Sequence, residues 1–269
     1  MRPLRRPAVM GILNVTPDSF SDGGRYVSAA NAVHRALQLV EAGADVIDIG
    51  GESTRPGSAP VSLREELRRV IPVIRQLRRR TRVPISIDTS KAEVARQALA
   101  AGASIVNDIT ALRGDPAMAD VVSRARVPVI LMHMRGTPRT MQRAPRYRDV
   151  VAEVSAWLRD AVRRARAAGI ARSRIWIDPG LGFGKTARHN LLLMRHLKAL
   201  KRLGQPIVLG PSRKSFIGRA TGAPVAERLP GTLTCLAQAA IHGIDMVRVH
   251  DVAETVQFLT MWSAIAHAA

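Results

Sequence analysis

Eight short apolar runs, rich in β-branched residues, punctuate the chain: AVMGIL (8–13), DVIDI (45–49), PISID (84–88), SIVND (104–108), PVILM (128–132), RIWID (174–178), PIVLG (206–210) and DMVRV (245–249). Near-continuous apolar runs of this length indicate strands buried on both faces, and such strands are parallel. Longer amphipathic stretches lie between them, and the spacing predicts helices over 28–42, 62–80, 90–101, 115–125, 147–168, 187–203, 227–242 and 253–267. Gly43, Gly102, Gly169 and Gly243 each stand just past a helix and just before a strand, where a left-handed residue ends the helix. Strands alternating with helices mean an α/β fold. Eight such units point to a closed (β/α)8 TIM barrel with eight parallel strands, the alternative being an open doubly wound sheet. The 269 residues fit a barrel as a single domain over 1–269, since no Pro/Gly/Ser linker divides them.

Hydrophobic content of 46% is enough for a full core. The single Cys235 cannot form an internal disulfide, which suggests a reducing, cytoplasmic compartment. The opening MRPLRRPAVMGILNVTPD carries no cleavage site of a signal peptide. No apolar stretch approaches the ~20 residues of a membrane span. The formal net charge is +20, from 41 basic and 21 acidic residues, and such a balance first suggests nucleic acid. The distribution argues against it. All but Lys91, Lys185, Lys198, Lys201 and Lys214 are Arg, mostly on helix-like segments such as 63–82 and 159–174, and aromatics are only 3%, too few for base stacking. Solvated helix faces account for most of the charge, with steering of an anionic substrate as the remainder.

In a barrel the active site lies at the C-terminal ends of the strands. There the chain places Asn14, Asp48, Asp88, Asn107, Asp108, His133, Asp178, Ser212, Arg213, Lys214, Arg248, His250 and Asp251. Charged groups leaving water cost several kcal/mol unless paired, so a rim built only for stability would hold few of them. Asp108 and Asp251 suit capping or turn roles. Asp88, Asn107 and Asp178 supply donors and acceptors that could read a flat nitrogen heterocycle. Arg248, His250, Arg55 and Asn14 look like an oxyanion site, where Asn14 could offer a carbonyl to Mg2+. The loops 14–26 and 50–60 are long and rich in turn residues, as lids and binding loops are. DPGLGFGKT (178–186) imitates a phosphate-binding loop, but the position that needs a glycine is Pro179, which has no N–H to offer. No Ser-His-Asp, Cys-His or zinc-ligand set is present.

GILNVTPDSFSDGG (11–24), DIGGESTRPGS (48–58), SIDTS (86–90), VNDI (106–109), LMHMRGTPRTMQ (131–142), DPGLGFGK (178–185), SRKS (212–215) and RVHD (248–251) together resemble the dihydropteroate synthase family, in order and over nearly the whole chain. The resemblance implies a transferase of folate biosynthesis, a (β/α)8 barrel and usually a homodimer. It would join 6-hydroxymethyl-7,8-dihydropterin pyrophosphate to p-aminobenzoate with Mg2+ beside the pyrophosphate, and would be a sulfonamide target. It implies pterin contacts at Asp88, Asn107, Met132, Asp178 and Lys214. Pyrophosphate contacts would fall to Asn14, Arg55, Arg248 and His250, with Asn14 toward the metal. Those for p-aminobenzoate would be Phe20, Thr54, Arg55, Pro56, Phe183, Ser212 and Lys214. Asp88, Asp178, Lys214 and Arg248 would be catalytic, in an SN1-like substitution. Leu181 and Pro211 depart from the family pattern. The alternatives are a pterin-binding methyl-transfer barrel, which would not need the STRP and SRKS elements, and a non-catalytic paralogue.

Overall fold

The computed structural model of the chain describes residues 6–16, 25–54 and 57–268. Its strands are β1 (Ala8–Asn14), β2 (Val46–Gly50), β3 (Ile85–Asp88), β4 (Ile105–Asp108), β5 (Val129–Met132), β6 (Ile175–Asp178), β7 (Val208–Leu209) and β8 (Met246–Val249). Every pairing is parallel, in the order β6-β5-β4-β3-β2-β1-β8-β7. At the seam Ile177 and Ile207 form a parallel bridge, with the Ile177 N–H donating to the Pro206 carbonyl at 3.0 Å. The eight strands thereby curl into the expected nearly closed barrel. The strand expected over 206–210 shrinks to two residues, and Pro206, which has no N–H for the ladder, stands at its start.

The helices are α1 (Arg25–Glu41), α2 (Leu63–Arg78), α3 (Ala92–Ala101), α4 (Met118–Ala125), α5 (Val150–Ala167), α6 (Ala187–Arg195), α7 (Leu197–Lys201), α8 (Ser215–Thr221), α9 (Leu229–Ile241) and α10 (Val252–Ala266). Local sequence explains several ends. Ser62 caps α2 by accepting from Glu65 N–H, and Asp149 caps α5 by accepting from Val151 and Ala152. Gly43, Gly102, Gly169 and Gly243 are all left-handed, as expected. Two expectations differ. The helix read over 187–203 breaks at His196 (φ −112°, ψ 32°) into α6 and α7. An additional short α8 follows Lys214 and ends at left-handed Gly222, where the sequence shows too short a periodic pattern to be read as a helix.

Strand parity positions the site. Residues paired across parallel strands point to the same face. Met10 pairs with Val46 and Arg248, Asp48 with Ser86, Asp88 with Asn107, Asn107 with Ile130, and Met132 with Asp178. This is the inner face. Toward the strand starts it is filled by Met10, Val46, Ile130, Val208 and Met246. Toward the strand ends it turns polar. The alternate residues, among them Val9, Leu13, Ile47, Ile49, Ile87, Val106, Ile177 and Val249, face the helices and form the larger core. At Gly11 an added Cβ would lie 3.1 Å from Val252 of α10, so the small residue lets that helix pack closely.

Candidate active site

The inner polar layer centres on Arg248 of β8. Its Nε donates to Asp48 Oδ2 at 2.6 Å and its Nη2 to Asp88 Oδ2 at 2.8 Å. Asn107 Nδ2 donates to the same Asp48 oxygen at 3.1 Å. Asp48, Asp88 and Asn107 are buried. Three strands therefore meet at one guanidinium, whose planar fork suits two carboxylates at once. The remaining Oδ1 atoms of Asp48 and Asp88 are buried with no hydrogen-bond partner. Burial pushes the Asp88 carboxyl up to about 7; Arg248 opposes the shift and the Asp48 charge adds to it.

Asp178, at the end of β6, is buried beside Met132 in register. Its Oδ1 accepts from Gly180 N–H at 2.7 Å. Burial raises its carboxyl above the usual range, against the pull of Lys214 and then of Arg248. Lys214 stands at the start of α8. Its Nζ donates to the Leu181 carbonyl and lies 4.4 Å from the centroid of the Phe183 ring. Burial lowers its ammonium to about 8, opposed by Asp178; Arg248 lowers it further and Asp88 raises it. Asp88, Asp178, Lys214 and Arg248 thus act on one another, and the structure brings this part of the expected site into one electrostatic unit.

The segment after Asp178 is held from within. Lys185, which mimics a phosphate-loop lysine in the sequence, is buried. Its Nζ lies 2.9 Å from each of His133 Nδ1, the Gly180 carbonyl and the Phe183 carbonyl. Burial drives its amine well below the ordinary lysine range, and burial followed by Lys185 keeps His133 neutral. Asn190 of α6 accepts from Gly182 N–H at 2.7 Å, and Tyr147 donates to the Gly184 carbonyl at 2.9 Å. Gly180 has φ +65°, and a Cβ there would fall 2.0 Å from the His133 carbonyl oxygen. Only glycine allows that approach. The glycines serve close packing of a loop that presents Phe183 and the Leu181 carbonyl to Lys214. Leu181, one of the two departures, is itself in the core.

Other expected residues are placed on the rim without joining this unit. Asn14 shares the inner face and pairs with Gly50 in register. Thr54 lies four residues beyond Gly50 and is half-buried. Ser212 Oγ lies 2.9 Å from His250 Nδ1 and accepts from His250 N–H at 3.2 Å, so these two hold each other. Asp251 forms a two-pronged pair with Arg213, and Asp108 caps a turn by accepting from Thr110 and Leu112, in line with structural roles for both. Phe20, Arg55 and Pro56 lie outside the described residues, as does the stretch 17–24 of the first long loop. Sequence reasoning noted Asp48 on its strand but did not carry it into the site. Only the register shows it: Asp48 has the parity of Gly50, and Gly50 pairs with Asp88.

The family model described as pterin binding enzyme matches residues 10–250. The chain is 50% identical over 262 residues to the dihydropteroate synthase of Synechocystis sp., covering 97% of this chain and 91% of that protein. The structure of Xanthomonas albilineans dihydropteroate synthase with 4-aminobenzoic acid superposes with a TM-score of 0.93 at 50% identity, covering 99% of this chain and 95% of that one. A structure of the Xanthomonas albilineans enzyme in complex with 7,8-dihydropteroate gives a TM-score of 0.90 at 48% identity, covering 99% and 96%.

Proposed function

The chain belongs to the pterin binding enzyme family as a dihydropteroate synthase, a transferase, and from that membership we propose how its rim works. The reaction joins 6-hydroxymethyl-7,8-dihydropterin pyrophosphate to p-aminobenzoate, giving 7,8-dihydropteroate and pyrophosphate. One observation carries the assignment of residues. The inner polar layer gathers Asp88, Asp178, Lys214 and Arg248, together with two buried carboxylate oxygens that no described residue satisfies. Buried acceptors call for donors, and the flat edge of a pterin supplies ring N–H and amino donors. Asp88, Asn107 and Asp178 would read that edge, with Met132 and Lys214 against the ring. Asn14, Arg55, Arg248 and His250 would receive the pyrophosphate. Thr54, Pro56, Phe20, Phe183 and Ser212, with Arg55 and Lys214 shared, would hold p-aminobenzoate.

In this reading the C–O bond of the pterin methylene breaks first, and its electron pair leaves with pyrophosphate. The positive charge left behind spreads into the ring, where the carboxylates of Asp88 and Asp178 stabilise it. The amino group of p-aminobenzoate, already unprotonated at pH 7, then forms the new C–N bond and loses a proton to solvent. No protein nucleophile is required. Among the described residues no three His, Cys, Asp or Glu side chains gather as a metal cage. Asn14, at the end of β1, carries a side-chain carbonyl oxygen of the kind Mg2+ takes, and would be its protein ligand, with water and phosphate oxygens supplying the rest. When bound, the ion would offset charge on the pyrophosphate. A homodimer is part of the same proposal; Ile241 of α9 and Met261 and Ile265 of α10 are exposed apolar side chains that a second copy would cover.

The test is pyrophosphate release from the pterin pyrophosphate in the presence of Mg2+, with and without p-aminobenzoate. Release that depends on p-aminobenzoate and yields 7,8-dihydropteroate is the expected result. Pterin binding by calorimetry without release would instead favour a methyl-transfer or non-catalytic relative.

A further inference from the structure

Behind the loop that follows β2 lies a network that the reaction chemistry does not use. The loop leaves β2 pressed against α2: a Cβ on Gly51 would lie 2.7 Å from Val70 Cγ1 and 3.1 Å from Glu66 Cγ. Arg69 of α2 donates to the Gly51 carbonyl at 2.7 Å. One residue on, Glu52 accepts from the ammonium of Lys91. Lys91 stands three residues after Asp88, where the chain enters α3. The same ammonium donates to Glu66 Oε2 at 2.6 Å, and Thr89 Oγ1 donates to Glu66 Oε1 at 2.6 Å. Thr89 N–H in turn donates to the Asn107 carbonyl at 3.0 Å. A continuous polar path therefore joins the β2 loop, the exit of β3, α2 and β4. The charge of Glu66 also reaches Asp88.

The two halves of this path differ in burial. The Glu66 side chain is 1% exposed, while those of Glu52 and Lys91 are 23% and 25% exposed. Two carboxylates from different segments come together only because one ammonium stands between them. Removing Glu52 opens the outer half and leaves the inner half intact. Removing Lys91 leaves a buried carboxylate without its cation, which is costly. Thr54 is two residues beyond Glu52 on the same loop.

We propose that Glu52 and Lys91 are positioning residues: their ion pair fixes the β2 loop for capture of the arylamine, without touching either substrate. The proposal rests on the reading above that Thr54 holds p-aminobenzoate. It also ties the two substrate subsites together, since the fixing cation stands at the entry of α3, three residues beyond Asp88 at the end of β3.

The experiment compares wild-type protein with Glu52→Ala, Lys91→Met and Lys91→Arg. Displacements of about 1 Å in a positioned group cost up to about a hundredfold in rate, so a KM for p-aminobenzoate raised about tenfold or more is expected for Glu52→Ala. The affinity for the pterin pyrophosphate, by calorimetry, should change less than about threefold, and Tm should stay near that of the wild type. Lys91→Arg should recover most of what Lys91→Met loses. A wild-type KM for p-aminobenzoate in Glu52→Ala overturns the proposal, and so does equal loss of both substrates. If the wild-type protein itself does not consume p-aminobenzoate, the reading of the reaction fails and takes the proposal with it; if it does and Glu52→Ala matches it, only the proposal fails.

Discussion

At the scale of single residues, two groups with displaced ionisation define a pH window. Asp88 must be a carboxylate to stabilise a cationic ring, and burial has raised it to about 7. Lys214 must be an ammonium to face anionic ligands, and burial has lowered it to about 8. The value of kcat/KM for the pterin pyrophosphate reports the free protein. It should rise as pH climbs through about 7, where Asp88 ionises, and fall above about 8, where Lys214 loses its proton. Lys214→Arg carries a cation that does not titrate in this range, so any activity it retains should lack the alkaline limb. A flat profile from pH 6 to pH 9 would contradict both assignments. Asp48 makes a second prediction. Asp48→Asn removes one of the two carboxylates on Arg248 and disturbs Asn107. Breaking a buried pair costs about 3–5 kcal/mol, to be read from urea denaturation, with weakened pterin binding by calorimetry. Asp88, Asn107, Asp178, Lys214 and Arg248 were legible in the sequence because strand-end position is a local property. The partners of Arg248 were not, because they lie 200 and 160 residues away and depend on the registers of three strands.

At the scale of elements, the segment from Asp178 to Thr186 shows how a pattern misleads and then resolves. Pro179 rules out a phosphate loop from sequence alone, and the position of Asp178 follows from the end of the apolar run. The inward turn of Lys185 had no local signal: its acceptors include His133, 52 residues away. Lys185→Met should leave His133 and two carbonyls without their donor. Unsatisfied buried groups cost about 1–3 kcal/mol each. The loop would loosen around Phe183 and the Leu181 carbonyl, and faster proteolysis within 179–186 would report it. Gly180→Ala is expected to be worse for its size, because φ +65° and a 2.0 Å approach to backbone leave no room. A loss of about 3 kcal/mol is expected. A variant as stable as the parent would show that the close approach relaxes freely. The split of α6 from α7 and the extra α8 were illegible for another reason. Both are decided by how short segments pack against neighbours, and periodicity is weak over fewer than two turns.

At the scale of the whole molecule, the +20 charge calls for an account that the barrel does not require. Part of it is held in helix-surface pairs, such as Arg68–Glu65, Arg96–Glu93, Arg124–Asp120 and Arg164–Asp160. Exposed pairs of this kind contribute about 1 kcal/mol or less each, so stability does not explain the excess. The acids are too few to match the basic residues, 21 against 41, and the rim would receive a pyrophosphate. A net positive field raises the encounter rate of an anionic ligand, and salt screens it over about 10 Å at 0.1 M. The expected outcome is a kcat/KM for the pterin pyrophosphate that falls severalfold between about 20 and 300 mM salt at fixed Mg2+. The same change should affect p-aminobenzoate, which carries a single charge, much less. Charge pairs inside the barrel, such as Arg248 with Asp48, are shielded from the solvent ions, so kcat should hardly move. Equal salt responses for both substrates, or none, would assign the basic surplus to solvated helix faces with no part in capture.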